Sequence, residues 1–260
     1  MASAMIKGLI HNGFKPVDIC VIEPDESARQ RLSRDFNVIS YSRPDQNTSW
    51  AQFELVVWAV KPQQMRDACE HLSTFAQNLL HLSVAAGITS TSLSTWLGTD
   101  RVVRAMPNTP ALIGMGQTAL YARPAVQASE RNLIQTVVQG TGSFLWLEQE
   151  ELLDAVTALS GSGPAYVFYI LEALTKAATE LGLEPLQAKQ LAIGTFIGAS
   201  HLADQSPDSL KTLREKVTSK GGTTEAAIQS LNQDQVDKHL QTAVNCAHRR
   251  AQELGALFGK

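Results

Sequence analysis

Leu55-Val56-Val57-Trp58-Ala59-Val60-Lys61-Pro62 is the stretch on which the fold turns. Leu55 to Val60 is a nearly continuous apolar run. A strand with one wet face alternates polar and apolar residues, so an uninterrupted run predicts a parallel strand buried on both faces. Lys61-Pro62 ends it, and Pro62 suits the first turn of a following helix. The unit is therefore strand, tight turn, helix.

Working outward, the same unit recurs. Leu79 to Val84 reads as a second buried strand, stopped by Ala85-Ala86-Gly87. Arg101 to Ala105 reads as a third, followed by the rigid loop Met106-Pro107-Asn108-Thr109-Pro110. Thr118 to Ala122 and Phe144 to Leu147 are two more strands, flanking a helix near Ser129 to Gln139. Upstream, Met1 to Asn12 predicts a helix stopped by Gly13. Val17 to Ile22 is a strand ending in Glu23-Pro24-Asp25, Ser27 to Phe36 a helix, and Val38 to Tyr41 a short strand before the polar loop Ser42 to Ser49. Alternation with short connections predicts a doubly wound α/β sheet over residues 1–148. Ligands in such sheets bind at the carboxyl ends of the strands. The segments there are Glu23-Pro24, Ala59 to Pro62, Ala85 to Gly87 and Met106 to Pro110, all small, polar or proline-fixed.

After Leu147-Glu148 the alternation gives way to helices only, over 149–260. Leu152 to Leu159 is helical, and Ser160-Gly161-Ser162-Gly163-Pro164 breaks it. Pro164 opens a helix stopped by Gly182, and Pro185 opens the next, which carries Gly194 and Gly198. Glycines four apart admit a closely packed helix, either from the same chain or from a second copy. Ser206-Pro207 begins a further helix, and Gln235 to Phe258 is a long amphipathic one.

The totals exclude several classes. The chain has 260 residues, 44% hydrophobic and 18% charged, as expected of a globular protein with room for two modest domains. A formal net charge of -3 offers nothing to nucleic acid or an anionic membrane surface. No apolar run approaches the roughly 20 residues of a membrane span. Three dispersed cysteines, Cys20, Cys69 and Cys246, argue against a disulfide framework and fit a reducing cytoplasm. His239, Cys246 and His248 do not share a helical face, so no metal site is expected.

The chemistry concentrates in Arg214 to Leu231. Val217 closes a helix, Gly221-Gly222 cannot continue it comfortably, and Thr223 or Thr224 caps the next. Backbone N–H groups and hydroxyls thus converge at a helix N-terminus, which either binds a small anion or is an ordinary capped start.

The run Leu-x-x-x-Val-Thr-Ser-x-Gly-Gly-Thr-Thr, from Leu213 to Thr224, resembles the signature of the pyrroline-5-carboxylate reductase family. Ala-Val-Lys-Pro at 59–62, Ala-Ala-Gly at 85–87, Met-Pro-Asn-Thr-Pro at 106–110 and Ser-Gly-Ser-Gly-Pro-Ala-Tyr at 160–166 recur in that family in this order. The resemblance implies a Rossmann-like domain and then a helical dimerisation domain. It implies reduction of 1-pyrroline-5-carboxylate to L-proline, the last step of proline biosynthesis, in the cytoplasm. The cofactor is NADPH, with NADH as an alternative because Glu23 is placed to accept from a ribose 2′-OH. Met1, Ala2, Glu23, Asn47, Ala59, Val60, Lys61, Pro62, Ala85, Ala86, Met106, Pro107 and Asn108 fall at its binding positions. The N–H groups of Gly222 and Thr223, with Ser219, would anchor the substrate carboxylate. The Thr224 hydroxyl would meet the ring nitrogen and serve as the catalytic residue, orienting it and relaying a proton. The partners implied are a small-molecule substrate and a second copy of the chain, with dimers assembled into rings.

One departure concerns the beginning. A dinucleotide fold opens with a strand and a Gly-x-Gly turn. Here Met1-Ala2-Ser3-Ala4-Met5-Ile6 resembles the family segment just after that turn. About ten residues, including the central strand, are therefore expected to be missing by the usual fingerprint. A start codon set too far downstream accounts for this better than a degenerate gene. The rival readings are a two-domain 3-hydroxyacid-type dehydrogenase and a non-catalytic helical oligomer.

Overall fold

The computed structural model describes residues 1–44 and 50–259. They form two compact units. One comprises Met1–Ser162 with Ala247–Lys260, the other Gly163–Cys246.

The first unit carries seven strands: β1 (Cys20–Ile22), β2 (Ile39–Tyr41), β3 (Leu55–Trp58), β4 (Leu80–Ser83), β5 (Val102–Met106), β6 (Gly116–Ala122) and β7 (Gly142–Trp146). Between them run α1 (Ala2–His11), α2 (Glu26–Phe36), α3 (Met65–Ala76), α4 (Ser90–Leu97) and α5 (Ala128–Gln139). The sheet lies in two pieces, β1-β2 and β3-β4-β5-β6-β7. All pairs are parallel except β5 with β6. Among the described residues no hydrogen-bonded strand pair joins the two pieces. Helix α1 serves both pieces: Met5 packs with Leu80, Leu82 and Val103 of the larger sheet, and Ile6 with Leu32 and Val38 beside the smaller.

Local chemistry accounts for these elements. All four residues of β4 are buried, as a central parallel strand requires. Strand β3 departs from expectation, because Leu55, Val56 and Val57 are only half-buried. It is the edge of its sheet. Helix α2 starts at Asp25, whose carboxylate accepts from the Ala28 N–H at 2.6 Å, and ends at left-handed Asn37. Helix α4 is absent from the sequence reading. Thr89 caps it by accepting from the Ser92 N–H, and Gly98 at φ 69 stops it.

Helix α6 (Leu152–Val156) and a π turn (Thr157–Gly161) also belong to the first unit. The composition boundary at 148/149 lies ahead of the compact unit's end because this segment is tied down. Leu153 is buried, and Arg104 pairs with Glu150 at 2.8 Å. The sequence expects a break at Ser160–Pro164, and one falls at Ser162, between the π turn and the helix that starts at Gly163; the Ser162 N–H reaches the Thr157 carbonyl at 2.9 Å.

The second unit is helical: α7 (Gly163–Glu180), α8 (Pro185–Gln205), α9 (Leu210–Lys216), α10 (Thr223–Gln233) and the first part of α11 (Val236–Phe258). Helix α9 begins at Leu210 and not at Ser206-Pro207, because the Ser209 side chain supplies the cap. A Cβ added to Gly194 or Gly198 would meet nothing within 4 Å, so no helix of this chain packs there among the described residues. Phe168, Tyr169, Leu186, Leu191 and Ile197 are exposed on α7 and α8. This Rossmann-like sheet followed by helices is the architecture the sequence predicts.

Candidate active site

The parallel register of β3, β4 and β5 decides where the first set of candidates meets. Trp58 lies beside Ser83, and Ser83 beside Arg104. The segments that leave these strands, Ala59–Pro62, Val84–Gly87 and Met106–Asn108, therefore emerge from one edge of the sheet. Ala59 and Lys61 are exposed; Val60, Pro62, Ala86 and Met106 are half-buried; Ala85, Pro107 and Asn108 are buried. Gly87 has a φ of 79, and a Cβ there would come 3.0 Å from the Gly255 backbone of α11. Only glycine makes this turn against that helix.

Two interactions fix this edge from behind. The Trp58 indole N–H donates to His81 Nδ1 at 3.0 Å, so Nε2 carries the proton and donates to the Ala76 carbonyl at 3.0 Å. Burial pushes the His81 pKa down to about 4, and the ring is neutral at working pH. Arg104, on β5, pairs with Glu150, which also accepts from the Ser90 N–H and hydroxyl at 2.5 Å. Burial raises the Glu150 pKa, but the bonds from Ser90 and Arg104 outweigh it and hold the carboxyl below its ordinary value. Sequence reasoning missed Arg104, Glu150 and Ser90, which lie far apart in the chain.

Asn108 is 9% exposed, and its amide is directed inward. Its Nδ2 donates to the Ser160 carbonyl and hydroxyl oxygens, both at 3.2 Å, and its Oδ1 accepts from the Gln117 N–H at 2.9 Å.

Met1 is exposed and Ala2 half-buried at the N-terminus of α1. That helix start has no side-chain cap and no acidic residue in its first turn, leaving N–H donors of the kind a phosphate takes. Glu23 follows β1, and its Oε1 accepts from the Asp25 N–H at 2.9 Å. Arg29 donates to the Glu23 and Pro24 carbonyls at 2.7 Å, a cation at the strand end that the sequence reading did not single out. Asn47 lies outside the described residues. The residues present fit a dinucleotide: an uncapped helix start for its phosphates and an edge of small residues for its flat ring. Among the described residues no cluster of His, Cys, Asp or Glu could hold a metal ion, and no helix is long and apolar enough to cross a membrane.

The second set of candidates lies in the helical unit. Val217 ends α9, and the Thr218 hydroxyl donates back to the Arg214 carbonyl at 2.6 Å. The Gly222 N–H donates to the Ser219 carbonyl at 3.0 Å, closing a turn. Gly221, at φ 72, donates its N–H to Glu225 Oε2 at 2.6 Å. The N-cap of α10 is Gly222, where the sequence reading expected a threonine. Because Gly221 and Gly222 spend their N–H groups locally, the outward donors are those of Thr223 and Thr224 in the first helical turn. A Cβ on Gly222 would stand 2.5 Å from the Ser219 hydroxyl oxygen, which would have to rotate away, and the position that favours glycine by its backbone is Gly221 at φ 72. Ser219 and Thr223 are exposed and Thr224 is half-buried.

Comparison with known proteins agrees with both parts. A family model described as pyrroline-5-carboxylate reductase dimerisation matches residues 150–254, and one described as NADP oxidoreductase, coenzyme F420-dependent, matches residues 1–87. A pyrroline-5-carboxylate reductase from Pseudomonas aeruginosa is 38% identical, over 100% of this chain and 95% of its own. The solved structure of a pyrroline-5-carboxylate reductase from Coxiella burnetii is 36% identical with a TM-score of 0.88, covering 97% of this chain and 94% of that one. The Plasmodium falciparum pyrroline carboxylate reductase, solved with NADP bound, shares the fold at a TM-score of 0.86 and 23% identity, over 97% of this chain and 94% of its own. Identity of 38% over the whole of this chain and 95% of the Pseudomonas aeruginosa reductase places this chain in the pyrroline-5-carboxylate reductase family.

Proposed function

We propose that the chain reduces 1-pyrroline-5-carboxylate to L-proline with NADPH. The observation that carries this is the Ser219–Thr224 turn, with two outward N–H donors and a threonine hydroxyl at one helix start. A carboxylate bound there meets the Thr223 and Thr224 N–H groups and the Ser219 hydroxyl, in the positive field of the α10 N-terminus. Gly222 keeps the approach open. The Thr224 hydroxyl stands by the ring nitrogen, donating a hydrogen bond as that atom becomes an amine. A threonine hydroxyl is a poor acid, so its role is to orient the nitrogen and, for the neutral imine, to relay a proton to it from water; the iminium form already carries that proton.

In the nucleotide-binding unit, the α1 N-terminus with Met1 and Ala2 holds the phosphates. Glu23 faces the adenosine ribose. Ala59, Val60, Lys61 and Pro62 line the cofactor's path, and Ala85, Ala86, Met106 and Pro107 present backbone to the nicotinamide. The bound cofactor supplies a hydride to the imine carbon. The protein's share is to orient both reactants and keep water away. A second copy of the chain covers the exposed apolar positions of α7 and α8, and dimers assemble further into rings in the cytoplasm.

The test follows NADPH oxidation with 1-pyrroline-5-carboxylate, and NADP reduction with 3-hydroxyacids. Oxidation with the imine alone, reduced about 100-fold in Thr224→Ala, is the expected result. Turnover of hydroxyacids without turnover of the imine would select the dehydrogenase reading.

A further inference from the structure

We propose that Asn108 is a positioning residue, whose carboxamide latches the loop after β5 to the π turn and thereby fixes the polar segment Ser160–Ser162 for the reaction. This rests on the reductase reading above. A carbonyl in a helix accepts from the N–H four residues on. For Ser160 that residue is Pro164, which has no N–H. The Asn108 amide brings a donor to that carbonyl, at 3.2 Å. The same Nδ2 lies 3.2 Å from the Ser160 hydroxyl oxygen, and the amide oxygen takes the Gln117 N–H at 2.9 Å. The amide nitrogen and the amide oxygen thus each have a partner inside the protein, and the group is buried. Asn108 therefore acts on a bound nicotinamide through the loop it holds, not by touching it.

The residue type follows from the geometry. One end must donate and the other accept, which asparagine does and aspartate does not. An aspartate could still accept from Gln117, but its second oxygen would face the Ser160 carbonyl. A second contact reinforces the latch. A Cβ on Gly161 would lie 2.5 Å from the Met106 methyl carbon, so the Met106 side chain rests directly on the turn. Met106 and Asn108 flank Pro107 at the end of β5, and both meet the π turn. Single π turns inside helices recur at functional sites. Here the turn is held by the same loop that lies at the cofactor edge.

The experiment compares wild type, Asn108→Asp and Ser160→Ala. It measures kcat with 1-pyrroline-5-carboxylate, NADPH binding by fluorescence, and hydrogen exchange of the peptide covering 157–166. The latch predicts that Asn108→Asp lowers kcat by about 10- to 100-fold through misplacement. NADPH affinity stays within about twofold, as expected of a group that makes no ligand contact. Exchange at the turn quickens. Ser160→Ala keeps the carbonyl acceptor but loses the hydroxyl contact, so its kcat falls less than that of Asn108→Asp. Should Asn108→Asp not fold, Asn108→Ser carries the same readouts without placing an oxygen pair together. A kcat within twofold of wild type, or weakened NADPH binding at unchanged kcat, overturns the proposal. Unchanged exchange overturns the latch itself, whatever the activity. A folded wild type inactive on the imine overturns the reductase reading and the kinetic role with it, and the exchange readout then judges the latch alone.

Discussion

Glu150 offers the sharpest test of what holds the strand edge in place. Its carboxylate accepts from the Ser90 N–H and hydroxyl at 2.5 Å and from Arg104 at 2.8 Å. The Arg104 side chain is 8% exposed and that of Glu150 16%. Replacing Glu150 by alanine leaves the guanidinium buried with its partner gone. Breaking such a pair costs about 3–5 kcal/mol, much of it the burden of the remaining charge. In a chain of this size that corresponds to a fall in Tm of roughly 10 °C. The pair itself need not be stabilising: Glu150→Leu with Arg104→Met removes both charges and should recover most of the loss. Thermal and urea unfolding of wild type and the two variants at pH 7 provide the assay. Glu150's folded pKa is depressed. Its contribution is therefore present above the unfolded value near 4.3 and lost as pH falls through the folded one, so wild type and Glu150→Ala should converge in acid. A Glu150→Ala variant within about 1 kcal/mol of wild type at pH 7 would refute the reasoning, because no buried charge could then have been stranded.

Three further outcomes are expected. Gly8→Ala should destabilise by about 3 kcal/mol or more. Its Cβ would lie 2.8 Å from the backbone of Gly140, which cannot step aside as a side chain can; unfolding midpoints check this. Acid should weaken the fold through His81, whose ring titrates at about 4 when folded. Stability intact above the unfolded value of about 6.5 should fall by about 2 kcal/mol by pH 5, and His81→Asn should lose that part of the pH dependence. Burial pushes the Cys69 thiol up to about 12. It should react with a thiol reagent only at the rate of unfolding, read by mass spectrometry of the labelled peptide.

Much of the architecture is written locally. The apolar run at Leu55 and the mostly apolar segment at Leu79 specify parallel strands, and Gly13, Gly98 and Gly182 stop helices by a backbone conformation only glycine adopts freely. Helix α4 escaped notice because its polar serines hide a short apolar face, with Leu93 and Leu97 buried. The glycine turn of the candidate site was legible as chemistry, but not in which donors it leaves free. The Gly222 N–H bond to Ser219 depends on turn geometry that spacing does not encode. The ties between Arg104 and Glu150, Asn108 and Ser160, and Gly87 and Gly255 join residues distant in sequence. Nothing in the local pattern marks them, beyond Pro164, which lacks the N–H that an α-helical Ser160 carbonyl would take.

The most direct test of the account is isotopic. NADPH deuterated at both nicotinamide C4 positions is incubated with the chain and 1-pyrroline-5-carboxylate, and the products are weighed by mass spectrometry. The account predicts L-proline carrying one deuterium, with loss of one deuterium from the cofactor. Folded protein that yields no proline, or proline without deuterium, would contradict it.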